Sequence, residues 1–125
     1  MDQTVYNRCS FSIDENQRVV NMVDAFNRND LEKVGTILYE AHEGISKLYE
    51  VSCSESDFLV AYAKKNPQVL GARQTGGGFG GCTLNLVHQD AIEEFIGMVS
   101  KAYKKEFNTN LEAFEVKPSR GTSII

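Results

Sequence analysis

Apolar residues recur at helical spacing over the first half of this chain and alternate with polar ones in short stretches further on. The first repeat is Val19, Val20, Val23 and Phe26, and Ser12-x-x-Glu15 ahead of it has the form of a capping box. In such a box the hydroxyl accepts an orphan N–H at the helix start and the glutamate reaches back. Asn29-Asp30 interrupts the repeat and offers a cap for a second helix. Its stripe, Leu31, Val34, Ile37, Leu38, Ala41, Ile45 and Leu48, is the longest and cleanest in the chain. A break near Val51-Ser52-Cys53 precedes a third helix, opened by a weaker box at Ser54-x-x-Asp57, with Phe58, Leu59, Tyr62 and Ala63 inward. Asn66-Pro67 ends it, because proline disfavours helical geometry in the residue before it.

Val69 to Arg73 reads as a short strand and Cys82 to Val87 as another, with Cys82, Leu84 and Leu86 on one face and Thr83 and Asn85 on the other. Asp90-x-x-Glu93 resembles a box with an aspartate cap, for a helix carrying Ile92, Phe95, Ile96, Val99 and Tyr103. Asn108-Thr109-Asn110 is a turn signal. Leu111 to Lys117 follows as a last strand, Phe114 alternating with Val116, and Pro118 begins a short polar tail. Strands paired locally across a loop predict an α+β domain, an antiparallel sheet with helices packed on one face.

A length of 125 residues allows one domain with one hydrophobic core. An apolar share of 42% and a charged share of 24% exclude disorder and collagen-like repeats. No apolar run approaches the roughly 18 residues of a transmembrane helix. Met1-Asp2-Gln3-Thr4 has neither the basic nor the apolar stretch of a signal peptide. A net charge of −4 speaks against gripping nucleic acid, and no membrane partner is expected. Cys9, Cys53 and Cys82 lie far apart without a C-x-x-C pair, which fits a reducing, cytoplasmic compartment. His42 and His88 alone cannot build a zinc site of usual spacing, so no metal ligand is expected.

Glycine changes this picture. Five of the six positions from Gly76 to Gly81 are glycine, and Gly71 lies just upstream. Without Cβ atoms such a loop reaches positive φ, and its backbone N–H groups can converge into a nest for an anion such as phosphate. Arg73 and Thr75 beside it offer a charged donor and a hydroxyl. Gly76-x-Gly78-x-x-Gly81 matches the dinucleotide fingerprint in letters only, since a strand follows where the fingerprint needs a helix. No Walker A Gly-Lys-Ser/Thr occurs, and no His-Arg-Asp or Asp-Phe-Gly of a protein kinase. Phe79, in the loop centre, is expected to pack inward and fix it.

The string Gly71-Ala-Arg-Gln-Thr-Gly-Gly-Gly-Phe-Gly-Gly-Cys-Thr-Leu-Asn-Leu-Val87 resembles the third conserved motif of galactokinases, members of the GHMP small-molecule kinase superfamily. Ala41-His42-Glu43, Leu48 through Cys53, Glu55 and Asp57 resemble the helix–turn–helix segment that family carries before the loop. Glu15 through Val19 and Pro118 through Gly121 resemble further family positions, so the likeness runs from about Ser12 to the end. Gln74 departs where the family often has methionine, and Ser54 and Ser56 where it often has proline and leucine. Gln74 and Ser54 read as tolerated surface changes.

The resemblance implies a ferredoxin-like GHMP kinase C-terminal domain over residues 1–125, with the N-terminal catalytic and ATP-binding domain absent. In the complete enzyme it implies transfer of the ATP γ-phosphoryl group to the anomeric hydroxyl of galactose with Mg²⁺. It implies the N-terminal domain as partner, and an inactive isolated fragment with no cofactor bound. Arg73, Thr75, Gly76, Gly77, Gly78, Phe79, Gly80 and Gly81 would then wall the phosphate and sugar pocket, with no catalytic acid or base in this chain. Arg73 has an equal claim to a carboxylate partner at the domain interface. His42 and Glu43 read as a solvated or interface pair, Tyr49, Ser52 and Cys53 as inter-domain surface, and Cys82 as a buried thiol. Lys101, Lys104 and Lys105 suit a helix C-terminus. The competing class is a stand-alone α+β module whose loop senses a small anion.

Overall fold

The computed structural model describes residues 2–121 and 124. Three helices, α1 (Gln3–Asn27), α2 (Leu31–Lys47) and α3 (Ser54–Lys64), lead into β1 (Val69–Thr75) and β2 (Cys82–Val87). A 3-10 turn at Gln89–Ala91 then opens α4 (Ile92–Phe107). β1 and β2 pair antiparallel, from Thr75 opposite Cys82 to Val69 opposite Val87, with one irregularity between Val69 and Gly71. The chain is thus an α+β fold, helices packed against an antiparallel hairpin, as its sequence predicts.

α2 follows its pattern closely. The Asp30 carboxylate accepts the Lys33 N–H at 3.1 Å, and Glu32 and Lys47 complement the two ends of the helix dipole. Val34, Ile37, Leu38, Ala41 and Ile45 are buried, with Leu31 left exposed at the start. Beneath them the core falls into two clusters. Val60 and Ala63 of α3 meet Val69 and Ala72 of β1 and Phe95 and Val99 of α4. Ala25 of α1 meets Val34 and Ile37 of α2, with Met22 and Leu86 against them. Phe58 ties α3 to the end of α4, its ring 5.4 Å from that of Phe107. Asn108 closes α4 in the left-handed conformation, at the predicted turn.

Several expectations do not hold. α1 begins at Gln3, capped by Asp2, so Ser12-x-x-Glu15 lies inside a helix; Ser12 bonds the Arg8 carbonyl. Val19, Val20, Val23 and Phe26 face outward, each more than half exposed. The inward stripe of α1 is instead buried Phe11 and Ala25 with half-buried Glu15, Arg18 and Met22, also at helical spacing, with two charged members that pair with each other. At α3 the cap position is Cys53, and at α4 it is Ala91, neither with a side-chain capping bond. Asp57 and Asp90 therefore do not serve in boxes. Leu111 to Lys117 is not a strand: Leu111 packs on the first core cluster, but Phe114 and Val116 are exposed. Among the described residues no backbone hydrogen bond ties this stretch to β2, and alternation without a paired edge does not make a strand. Cys82 and Leu84 are exposed, and only Leu86 of that face reaches the core.

Candidate functional site

The glycine loop joins β1 to β2 and closes the hairpin beyond the Thr75–Cys82 pair. Gly76, Gly78, Gly80 and Gly81 all have positive φ, and so does Phe79 at 59°. This backbone is the one the glycine string anticipates, and a Cβ at Gly78 would stand only 3.0 Å from the Val51 side chain. The Phe79 N–H donates to the Val51 carbonyl, which pins the tip of the loop to the α2–α3 connection. Among the described residues no other loop amide from Gly76 to Gly81 has a backbone partner outside the strand pairing. Thr75 and Gly81 also border a groove of about 410 Å³ between β2, α4 and the segment after it.

The Phe79 side chain points into solvent, 74% exposed, rather than inward. Its backbone, not its ring, anchors the loop. Gln74 also corrects its expectation: it is buried at 2%, not at the surface. Its Nε2 donates to the Val51 carbonyl at 3.1 Å, so this oxygen accepts both Gln74 and Phe79. The Gln74 backbone N–H donates to His42 Nδ1 at 3.1 Å, which places the His42 proton on Nε2, donated to Asp57 at 2.9 Å. Asp57 accepts in addition from Ser52 at 2.7 Å and from Ser46 at 3.1 Å. Burial pushes the Asp57 carboxyl up, but the bonds from Ser52, His42 and Ser46 outweigh it and hold the group below its ordinary range.

His42 and Glu43 therefore do not act together. His42 is buried in this network, whereas Glu43 is exposed and pairs with Lys47 at 2.6 Å, which lowers its carboxyl. Arg73 finds a carboxylate within the chain. Its Nη1 lies 3.3 Å from one oxygen of Glu15, whose other oxygen takes Arg18 at 3.1 Å. Tyr49 packs against Phe11 with its ring tilted by 34°, centroids 5.0 Å apart, and Arg8 reaches the Leu48 carbonyl and Glu50. Cys53 donates to Ser56, which is buried. Asp57, Ser52, Gln74 and Val51 support the loop without having been assigned to it from sequence. Gln74 alone carried a signal, an amide alternating with Ala72 on the inward side of β1.

Residues 22–105 match the family described as GHMP kinases C terminal, and the chain belongs to that family. Galactokinases are among its relatives. It is 38% identical over 122 residues to galactokinase of Thermotoga petrophila, covering 98% of this chain and 35% of the relative. It is 43% identical over 103 residues to galactokinase of Clostridium perfringens strain SM101, covering 82% of this chain and 27% of that protein. The crystal structure of Lactococcus lactis galactokinase complexed with galactose superposes with a TM-score of 0.83 at 36% identity, over 87% of this chain and 28% of the other. The chain thus spans about a third of the length of the first of these relatives.

Proposed function

We propose that residues 1–125 form one domain, the C-terminal part of a galactokinase, and that the complete enzyme transfers the γ-phosphoryl group of ATP to the anomeric hydroxyl of galactose, giving galactose 1-phosphate. The observation that carries this reading is the Gly76–Gly81 loop, with four positive-φ glycines and amides left without backbone partners. Phosphoryl transfer is mostly positioning and charge stabilisation, and loop amides without backbone partners suit a phosphate. Thr75 and the loop from Gly76 to Gly81 wall the phosphate and sugar pocket from the C-terminal side. Arg73 serves indirectly, bracing β1 against α1 through Glu15.

The residues present fit one side of a nucleotide site. Bound ATP with magnesium supplies the transferable phosphoryl group and offsets its charge. Among the described residues no three acidic, histidine or cysteine side chains converge to hold a metal. The resemblance to galactokinases assigns the magnesium contacts to the nucleotide and to the N-terminal domain, the proposed partner. The outward Val19, Val20, Val23 and Phe26 face of α1 is where such a partner docks, and it favours an incomplete unit over a self-sufficient sensor. No described helix is long and apolar enough to cross a membrane. The free thiols of Cys9, Cys53 and Cys82 fit the cytoplasm as the compartment. The test is galactose-dependent release of ADP from Mg-ATP. The product of the reading frame extended upstream is expected to turn over, and the 125-residue chain alone is not. Turnover by the chain alone, or none by the extended product, overturns the proposal.

A further inference from the structure

We propose that a closed ring of hydrogen bonds behind the glycine loop positions it, with Gln74 and Ser52 as positioning residues that act through the Val51 carbonyl. The ring runs from His42 Nδ1 to the Gln74 N–H, from Gln74 Nε2 to the Val51 carbonyl, along the chain to Ser52, from Ser52 Oγ to Asp57, and from Asp57 back to His42 Nε2. It ties α2, α3, their connection and β1 together at one place. The Val51 carbonyl is the point where the ring meets the loop, because it accepts the Phe79 N–H as well. Val51 is held from its other side too, its own N–H donating to the Ile45 carbonyl at 3.1 Å.

Packing alone does not account for Gln74. Its Oε1 is buried without a partner, so the carboxamide carries an unsatisfied acceptor that an apolar side chain of equal length would not. The bond that its side chain does make is the one to Val51. The carboxamide thus holds the loop's anchor at the expense of its own full satisfaction. Phe79 supplies the only backbone tie outside the strand pairing among the described loop residues, so the loop's position follows that of Val51. That the loop so held faces a phosphate rests on the proposed function; the ring itself does not, and the two fail separately.

The test is NMR on this chain without ligand, reading the scalar coupling across the Phe79 N–H to Val51 carbonyl bond and the exchange rate of the Phe79 amide. In Gln74→Met, which keeps the side-chain length and loses the donor, the coupling falls and Phe79 exchange rises about tenfold, while β1 and β2 amides stay within about twofold. Ser52→Ala, which opens the ring on the side away from the loop, moves Phe79 in the same direction, and Ser52→Thr restores it. A folded Gln74→Met with unchanged Phe79 coupling and exchange overturns the proposal. So does a uniform rise across both strands, which would make the ring a general stabiliser. Should Gln74→Met fail to fold, Ser52→Ala decides alone, and an unmoved Phe79 amide there overturns it.

Discussion

Gly35 of α2 and Gly71 of β1 lie backbone against backbone, with no room for a side chain on either. A Cβ on Gly71 would collide with the Gly35 carbonyl and Cα, and one on Gly35 with the Leu70 carbonyl. This contact lets α2 approach β1 closely enough for His42, two turns further on, to bond the Gln74 backbone. Gly71→Ala is therefore expected to destabilise the fold by about 1–3 kcal/mol through overpacking. Urea unfolding checks this; a midpoint equal to that of the parent would mean that α2 moves away freely.

Gly78 is expected to be sensitive to substitution and Phe79 tolerant of it. Gly78→Val adds a branched side chain at φ 96°, against the Val51 side chain, and is expected to cost about 1–2 kcal/mol. Phe79→Ala removes an exposed ring and is expected to stay within about 0.5 kcal/mol. Thermal unfolding of the two variants checks the contrast. A large loss in Phe79→Ala would return the ring to the inward position that its place in the loop predicts.

The Asp57 carboxyl sits below its ordinary range, which sets the sign of an acid effect. A carboxyl whose folded value lies below its unfolded one stabilises the fold fully above about pH 4, and that contribution fades as pH falls through the folded value. Asp57→Asn has no carboxylate to lose. Its urea midpoint should fall less than that of the parent between about pH 6 and about pH 3. Parallel curves for the two proteins would contradict the network around His42.

The exposed face of α1 predicts a surface phenotype. Val20→Glu with Val23→Glu should leave stability within about 0.5 kcal/mol, since neither side chain is in the core. The pair should weaken docking of an N-terminal galactokinase domain supplied in trans, read by sedimentation velocity. A loss of stability comparable to that of a core truncation would place this face inside the fold.

Where polarity and periodicity agree, the structure was legible in the residues. α2 with its Asp30 cap, the extent of β2, the stop before Pro67 and the turn at Asn108 all follow from local chemistry. α1 misled because Glu15 and Arg18 occupy its inward stripe and pair with each other, while the apolar repeat serves an outward face. Leu111 to Lys117 has the alternation of a strand but no partner edge, and pairing is not encoded in one segment. At the site, the positive-φ backbone was readable from glycine alone. Its anchor was not, because it is the main-chain carbonyl of Val51, and a carbonyl leaves no mark on residue identity. Gln74 misled for a related reason: an amide is ordinarily exposed, and its burial depends on acceptors from a distant turn.

The central claim is that this chain offers one wall of a site completed by polypeptide beyond it. Isothermal titration calorimetry of the purified chain with galactose and with Mg-ATP tests it most directly. No saturable binding of either ligand by the chain alone is the expected result, with heat of binding appearing once the upstream portion is joined to it. Tight binding of either ligand by the unaided chain would contradict the account and make it a sensor in its own right.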